Sequence, residues 1–221
     1  MRTKPSHELA PGFDDSRFDV DASQLVKTPD WTEMVPELAN EAVTLREVRK
    51  SDAPSLCAML TTPEVRRLIA APPADVSGFE RFIEWAQAER RTGRLICFAV
   101  VPKGYDEPIG IFQVCRLDPG FDKGEWGAAL GSPFWGRGIF AAAAALVFDF
   151  LFDTVGVHRL EARAAVQNGR ANGAARKMGS VPEGVARRAL EVDGRYHDQL
   201  MWSLLAEDWR ASRHLAHPTV H

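Results

Sequence analysis

Apolar and polar positions alternate over residues 42–48 (AVTLREV), the period of a strand with one buried face. Asp52 then stands before a short apolar helix reaching about Leu60, and Pro63 opens a second helical piece through Ile69. Ser77-Gly78-Phe79-Glu80 has the form of a capping box, and the helix it introduces carries Phe79, Phe82, Ile83 and Ala86 on one face before ending near Gly93. Residues 95–101 are continuously apolar, which predicts a strand buried on both faces. Turns at Tyr105-Asp106-Glu107-Pro108 and Asp118-Pro119-Gly120 separate further strands at 109–117 and 125–130. A long apolar helix over about 138–153, rich in alanine from 141 to 145, is followed by a strand at 158–166 and a helix at 168–178 that Gly179 stops. Strands near 185–192 and 196–205 form a hairpin across Asp193-Gly194. The order of these elements predicts an α/β domain with a mixed sheet.

The ends differ from this patterned middle. Residues 1–40 hold Asp14, Asp15, Asp19, Asp21 and Asp30 with several prolines and no regular period, yet Phe13, Phe18, Trp31 and Met34 interrupt the polarity. A disordered tail is normally poor in aromatics, so this segment reads as an arm partly docked on the domain or on a second subunit, which leaves a homodimer open. The expected organisation is an N-terminal arm at 1–40, one domain at 41–210 and a C-terminal tail at 211–221.

A net charge of −3 and a pI near 6.1 argue against nucleic acid or an anionic membrane as partner. The longest apolar run, 139–146, is too short to span a bilayer, and no apolar signal core follows Arg2 and Lys4. Cys57, Cys97 and Cys115 have no metal-ligand spacing, so they read as reduced thiols of a cytoplasmic protein and no metal is expected.

The chemistry concentrates at Leu130-Gly131-Ser132-Pro133-Phe134-Trp135-Gly136-Arg137-Gly138-Ile139, where a strand runs into a glycine-bearing turn and then at once into a helix. Glycine lets the backbone approach a ligand, and the first helical turn offers unpaired N–H groups and a partial positive charge. Together these suit a phosphate or pyrophosphate. No Lys-Ser or Lys-Thr follows, so the loop is not a Walker A motif, and the third glycine of a dinucleotide fingerprint is missing.

With the segments around it, this stretch resembles the GNAT superfamily of N-acetyltransferases, in its ribosomal-protein (RimJ/RimL-type) branch. Four pieces carry the resemblance: Val43-Thr44-Leu45-Arg46 with Ser51-Asp52-Ala53; the glycine loop; Asn168 followed by Asn172, Lys177 and Gly179; and Gly194-Arg195-Tyr196-His197-Asp198. It implies a mostly antiparallel central sheet with helices on both faces and two parallel strands that splay apart at an acyl-CoA cleft. Acetyl-CoA would be the co-substrate. It would be bound by the loop residues Trp135, Gly136, Arg137, Gly138, Ile139, Phe140 and Ala141, with backbone N–H groups on the pyrophosphate. Ala129 and Leu130 would pair with the pantetheine, and a backbone N–H there would polarise the thioester carbonyl. Asn168 would face the pantetheine, although it also fits a plain helix N-cap. Lys177 would meet the cofactor phosphates, although a solvated helix charge reads the same way.

The reaction implied is direct attack of a primary amine on the thioester in a ternary complex, the acceptor being a protein N-terminus, a peptide or a small amine. An α-amine has a pKa of about 8 and a lysine of about 10.4, so a general base helps, and Glu125 is the candidate catalytic residue. Some positions depart from the family's pattern. Ala142 replaces a usual glutamate, Ala128 and Ala129 an aromatic pair, and Ala175 the tyrosine that serves many relatives as general acid. The departures at Ala142 and Ala175, with Ala171 where a serine is usual, motivate the alternative of a catalytically degenerate CoA-binding sensor or partner-binding module.

Overall fold

The computed structural model describes residues 30–216. Val43 and Leu45 are fully buried while Thr44 and Arg46 keep partial exposure, so the alternation at 42–48 becomes a strand with one face in the core. The strands are β1 (Leu38–Ala39), β2 (Val43–Glu47), β3 (Leu95–Pro102), β4 (Gly110–Arg116), β5 (Lys123–Leu130), β6 (Arg159–Ala165), β7 (Val181–Val192) and β8 (Arg195–Leu205). They form one sheet in the order β1-β2-β3-β4-β5-β6-β8-β7. Every neighbouring pair is antiparallel except β5 and β6, which run parallel.

The helices are α1 (Ala53–Leu60), α2 (Pro63–Arg66), α3 (Val76–Arg91), α4 (Ile139–Asp149), α5 (Gly169–Lys177) and α6 (Ala206–Ala216). Two cores account for their placement. Leu56 and Leu60 of α1 pack with Phe79, Phe82 and Ile83 of α3 on one face of the sheet. On the other, Ala143, Ala144, Val147 and Phe148 of α4 pack with Phe112, Trp126, Leu160 and Trp202, joined by Ala175 of α5 and Trp209 of α6. Both faces of the central strands are therefore covered, which is why β3 is buried at all eight positions. No helix among the described residues is long and apolar enough to cross a membrane.

Three local features differ from the sequence expectation. The cap of α3 is Asp75, whose Oδ1 accepts from the Gly78 N–H at 2.7 Å; Ser77 already lies inside the helix and donates to the same oxygen. The helix begun at Ile139 does not stay α-helical to 153 but widens into a π-helix over Phe150–Val155. That wider turn buries Phe150, Leu151 and Phe152 in succession. Residues 206–216 continue the chain as α6 past position 210, with Trp209 Nε1 donating to Asp149 and Arg213 paired with the same carboxylate. Trp31 and Val35, placed in the N-terminal arm by sequence, are buried in the larger core, and Arg90 donates to the carbonyl of Thr32. Residues 1–29 of that arm, with Phe13 and Phe18, and residues 217–221 lie outside the described residues.

Candidate active site

The parallel pair is short. Lys123, Gly124 and Glu125 align with Arg159, Leu160 and Glu161, and there the pairing stops. Each strand continues on its outer side, β5 against β4 as far as Leu130 and β6 against β8 as far as Ala165. The stretches facing each other across the gap are rich in small residues, Gly127, Ala128 and Ala129 on one strand and Ala162, Ala164 and Ala165 on the other, with Trp126 and Arg163 among them.

Antiparallel pairing turns alternate residues' backbone groups toward the partner strand. Gly131 N–H donates to Ile109 and Leu117 N–H to Lys123, so the odd-numbered residues of β5, Ala129 included, are bonded to β4. Trp126, Ala128 and Leu130 therefore present their N–H and C=O groups to the gap. On β6, Val166 N–H donates to Asp198 and Ala206 N–H to His158, which leaves Arg163 and Ala165 facing the gap. The Ala165 carbonyl accepts from the Asn168 N–H at 2.8 Å and from Asn172 Nδ2 at 2.9 Å. Two open backbone edges thus face one another, a geometry into which an extended amide-bearing ligand fits as an added strand.

The loop at the top of β5 is shaped by backbone conformation. Gly136 and Gly138 have φ of 75° and 78°, and Gly138 caps α4 in the left-handed region. No atom lies within 4 Å of where a Cβ would project from either, so glycine is needed for its dihedrals and the surroundings stay open. The first N–H groups of α4, from Ile139 to Ala141, have no helical acceptor and stand at the positive end of the helix. Trp135 Nε1 donates to the Leu130 carbonyl at 2.8 Å, and the guanidinium of Arg170 lies 3.7 Å from the centroid of the Trp135 ring. Arg137 leans over Phe134 of its own loop. This donor-rich, open turn fits a pyrophosphate.

One cleft of about 870 Å³ runs along the loop and through the gap in the sheet. The expected cofactor residues Ala129, Leu130, Trp135, Gly136, Arg137, Gly138, Ile139, Phe140, Ala141, Asn168 and Lys177 all line it. Asn168 is also the N-cap of α5, its Oδ1 accepting from Ala171 N–H at 3.1 Å. Beyond the gap the cleft opens into a chamber walled by Val65, Leu68, Ile69, Ile111 and Leu190, with the buried amides Gln113 and Gln199.

Glu125 stands at the closed end of the gap, one residue before the cleft lining begins at Trp126. Its side chain is 12% exposed and its Oε1 lies 3.7 Å from Arg163 Nε. Beside it, Glu161 accepts from Arg159 at 3.0 Å, and Arg159 forms a two-pronged pair with Glu183 at 2.9 and 2.5 Å. These hydrogen bonds hold the Glu183 carboxyl down to about 2 and raise the Arg159 guanidinium. Cys115, opposite Glu125 on β4, has its thiol pushed up by burial first and by that carboxylate second. His197 and Asp198 are not part of the cleft lining.

Ala175 contributes only a buried methyl, so no acid occupies that position. Gln113 and Gln199 join the lining without being singled out by any sequence motif; a glutamine inside the apolar run Ile111-Phe112-Gln113-Val114-Cys115 is the available signal for the first. Asn172 has a structural task that its place in the motif does not reveal. That residue is buried, donates to Ala165 and Val166, and accepts from Trp202 Nε1 at 3.0 Å, locking the start of α5 against β6 and β8.

A mixed sheet opened between parallel strands, with a left-handed glycine loop capping the next helix, defines an acyl-CoA-dependent transferase. The chain belongs to the GNAT acetyltransferase family, in its RimJ/RimL-type branch: the sequence profile of the acetyltransferase (GNAT) domain matches residues 42–181. It is 28% identical over 173 residues to an uncharacterised N-acetyltransferase, p20, of Bacillus licheniformis, covering 78% of this chain and 97% of that protein. A [ribosomal protein uS5]-alanine N-acetyltransferase of Escherichia coli is 23% identical over 62% of this chain and 71% of its own length. Among solved structures, Mycobacterium smegmatis RimJ in complex with CoA-disulfide superposes with a TM-score of 0.74 at 26% identity, covering 86% of this chain and 97% of the other. The activity is N-acetyl transfer with acetyl-CoA as co-substrate.

Proposed function

We propose that the chain acetylates the α-amine of a protein or peptide N-terminus, in a complex that holds donor and acceptor at once. The observation that carries this reading is the continuity of the cleft, which joins the glycine loop on one side of the sheet to the apolar chamber on the other through the β5/β6 gap. Similarity to an enzyme whose name specifies a ribosomal-protein alanine supports the acceptor class.

Residues take roles by their placement. The N–H groups of Gly136, Arg137, Gly138 and Phe140 hold the pyrophosphate, with Ile139, Ala141 and Trp135 shaping the turn and Lys177 adding positive charge. The Ala128 and Leu130 edge pairs with the pantetheine, and Ala129 lends a small side chain to the wall while its own backbone bonds β4. Asn168 faces the same arm. A backbone N–H of that edge faces the thioester carbonyl and stabilises the charge that develops on its oxygen. The amine enters from the chamber and attacks the carbonyl carbon as the C–S bond breaks. Glu125 withdraws the amine's proton through water, because it sits below the cleft wall, and the thiolate takes a proton from solvent.

Calorimetry tests this directly. Acetyl-CoA binds the wild type and not Gly138→Glu, which places a negative side chain at the pyrophosphate position. Thiol release with N-terminal peptides follows. Binding without turnover across a broad amine panel supports the degenerate sensor instead. The three free cysteines are in keeping with a reducing cytoplasm, and the N-terminal arm is the element through which a homodimer would form.

A further inference from the structure

β7 and β8 form a hairpin whose register is broken near the cleft. Ala186 pairs with Gln199 and Leu190 with His197, so Arg187, Arg188 and Ala189 stand opposite Asp198 alone. Two extra residues on one strand interrupt the ladder and bend it. Asp198 bridges the interruption. Its Oδ1 accepts from the Arg188 N–H at 2.8 Å, and its carbonyl accepts from the Val166 N–H at 2.9 Å just beyond β6. Arg188 has a φ of 51°, a left-handed conformation that a non-glycine residue holds only when its surroundings enforce it. One aspartate therefore ties β8 both to the bulge of β7 and to the residue just past the end of β6.

Leu190 shows what the bulge accomplishes. It is the one buried residue of β7, at 5% exposure, and it belongs to neither hydrophobic core. It lines the chamber beside Gln199 and Arg163. By strand register it shares a face with His197, Gln199, Met201 and Arg163, the face on which Glu125 also lies. Between the flanking pairs Ala186–Gln199 and Leu190–His197, the Asp198 carboxylate holds the Arg187–Ala189 excursion, and the strand that carries Leu190 is an outer edge with water on most of its surface.

We propose that Leu190 sets the size of the acceptor residue and that Asp198 is its positioning residue, the carboxylate holding the bulge and the bulge aiming Leu190 across the chamber. The inference rests on the chamber being the acceptor site. With Val65, Leu68, Ile69 and Ile111 among the other lining residues, beside the polar Glu64, Arg67, Gln113 and Gln199, Leu190 limits the size of the group fitted beside the attacking amine.

The test compares kcat/KM for peptides that begin with Ala, Ser, Leu and Phe, using wild type, Leu190→Ala, Asp198→Ala and Asp198→Asn, with acetyl-CoA Kd measured for each. Leu190→Ala shifts the Phe-to-Ala preference ratio by about tenfold toward Phe, through the acceptor KM, with acetyl-CoA Kd unchanged. Asp198→Ala blunts the discrimination. Asp198→Asn, which keeps an oxygen acceptor in place, restores the wild-type ratio, a rescue that a merely unfolded hairpin does not predict. A ratio for Leu190→Ala within about twofold of wild type overturns the size role. Asp198→Asn behaving like Asp198→Ala overturns the positioning role. A wild type that binds acetyl-CoA but acetylates none of these peptides overturns the acceptor reading itself.

Discussion

The indole N–H of Trp135 donates to the carbonyl of Leu130 at 2.8 Å, so the glycine loop is fastened by its own aromatic to the last residue of the strand before it. Arg170 covers the same ring from across the cleft. Trp135→Phe keeps a ring for Arg170 and removes the donor. A net hydrogen bond is worth about 1 kcal/mol, so acetyl-CoA Kd rises about fivefold while the fold is retained. Calorimetric titration of the variant beside wild type checks this; an unchanged Kd means the fastening is idle.

Two glycines near the site are glycine for different reasons. A Cβ on Gly110 would collide with the Ala129 carbonyl oxygen and crowd Leu130 Cα, inside the β4–β5 ladder. Gly136 has open space and a φ of 75°. Gly110→Ala costs about 3 kcal/mol by displacing backbone, and Gly136→Ala about 1 kcal/mol in dihedral strain. Urea midpoints rank the two, and equal losses contradict the distinction.

Asn172 makes three hydrogen bonds, two of them buried (to the carbonyl of Ala165 and from Trp202) and a part-buried one to the carbonyl of Val166. Asn172→Ala leaves the Trp202 N–H without its acceptor in the core, a loss of about 2 kcal/mol. It also loosens Asn168 one helical turn away. The expected result is a lower melting temperature together with weaker acetyl-CoA binding; a change in melting alone separates the brace from the site.

Glu125→Gln removes the proposed proton acceptor and one partner of Arg163. Loss of a general base costs about 100-fold in kcat. Acetyl-CoA Kd stays at its wild-type value because Glu125 lies below the cleft lining. Steady-state kinetics at saturating donor decide, and a kcat near wild type passes the role to another group or to water.

The Glu183 carboxyl is held at about 2 chiefly by hydrogen bonds from Arg159, below its ordinary value of 4.5. A depressed folded-state value stabilises the fold above about pH 4.5, and the contribution is lost as pH falls from there toward about 2. The side chain is 41% exposed, so solvent screening keeps the effect small. Denaturant midpoints followed from neutral pH downward fall less steeply for Glu183→Gln than for wild type across that window.

Much of this was written locally in the chain. The strand at 43–47, the all-apolar strand at 95–102 and the Asp193-Gly194 turn follow from period and turn chemistry, and both turn residues do have positive φ. The glycine loop was legible because dihedral need and helix start coincide in eight consecutive residues. Other features depend on residues far apart. Arg163 meets Glu125 only because β6 is threaded beside β5, and Asn172 meets Trp202 across thirty positions. The bulge at 187–189 follows from a register that no single-strand pattern encodes, and the π-helical turn at 150–155 from three successive apolar residues that the core draws inward.

The three residue pairs that join β5 to β6 are a seam as well as a site. On one side lie five strands and on the other three, each set internally laddered. An arm that adds itself between them completes the ladder, so donor binding finishes the sheet as well as filling the cleft. Saturation with acetyl-CoA is then expected to slow amide hydrogen exchange at Ala128, Leu130 and Arg163, on both sides of the seam.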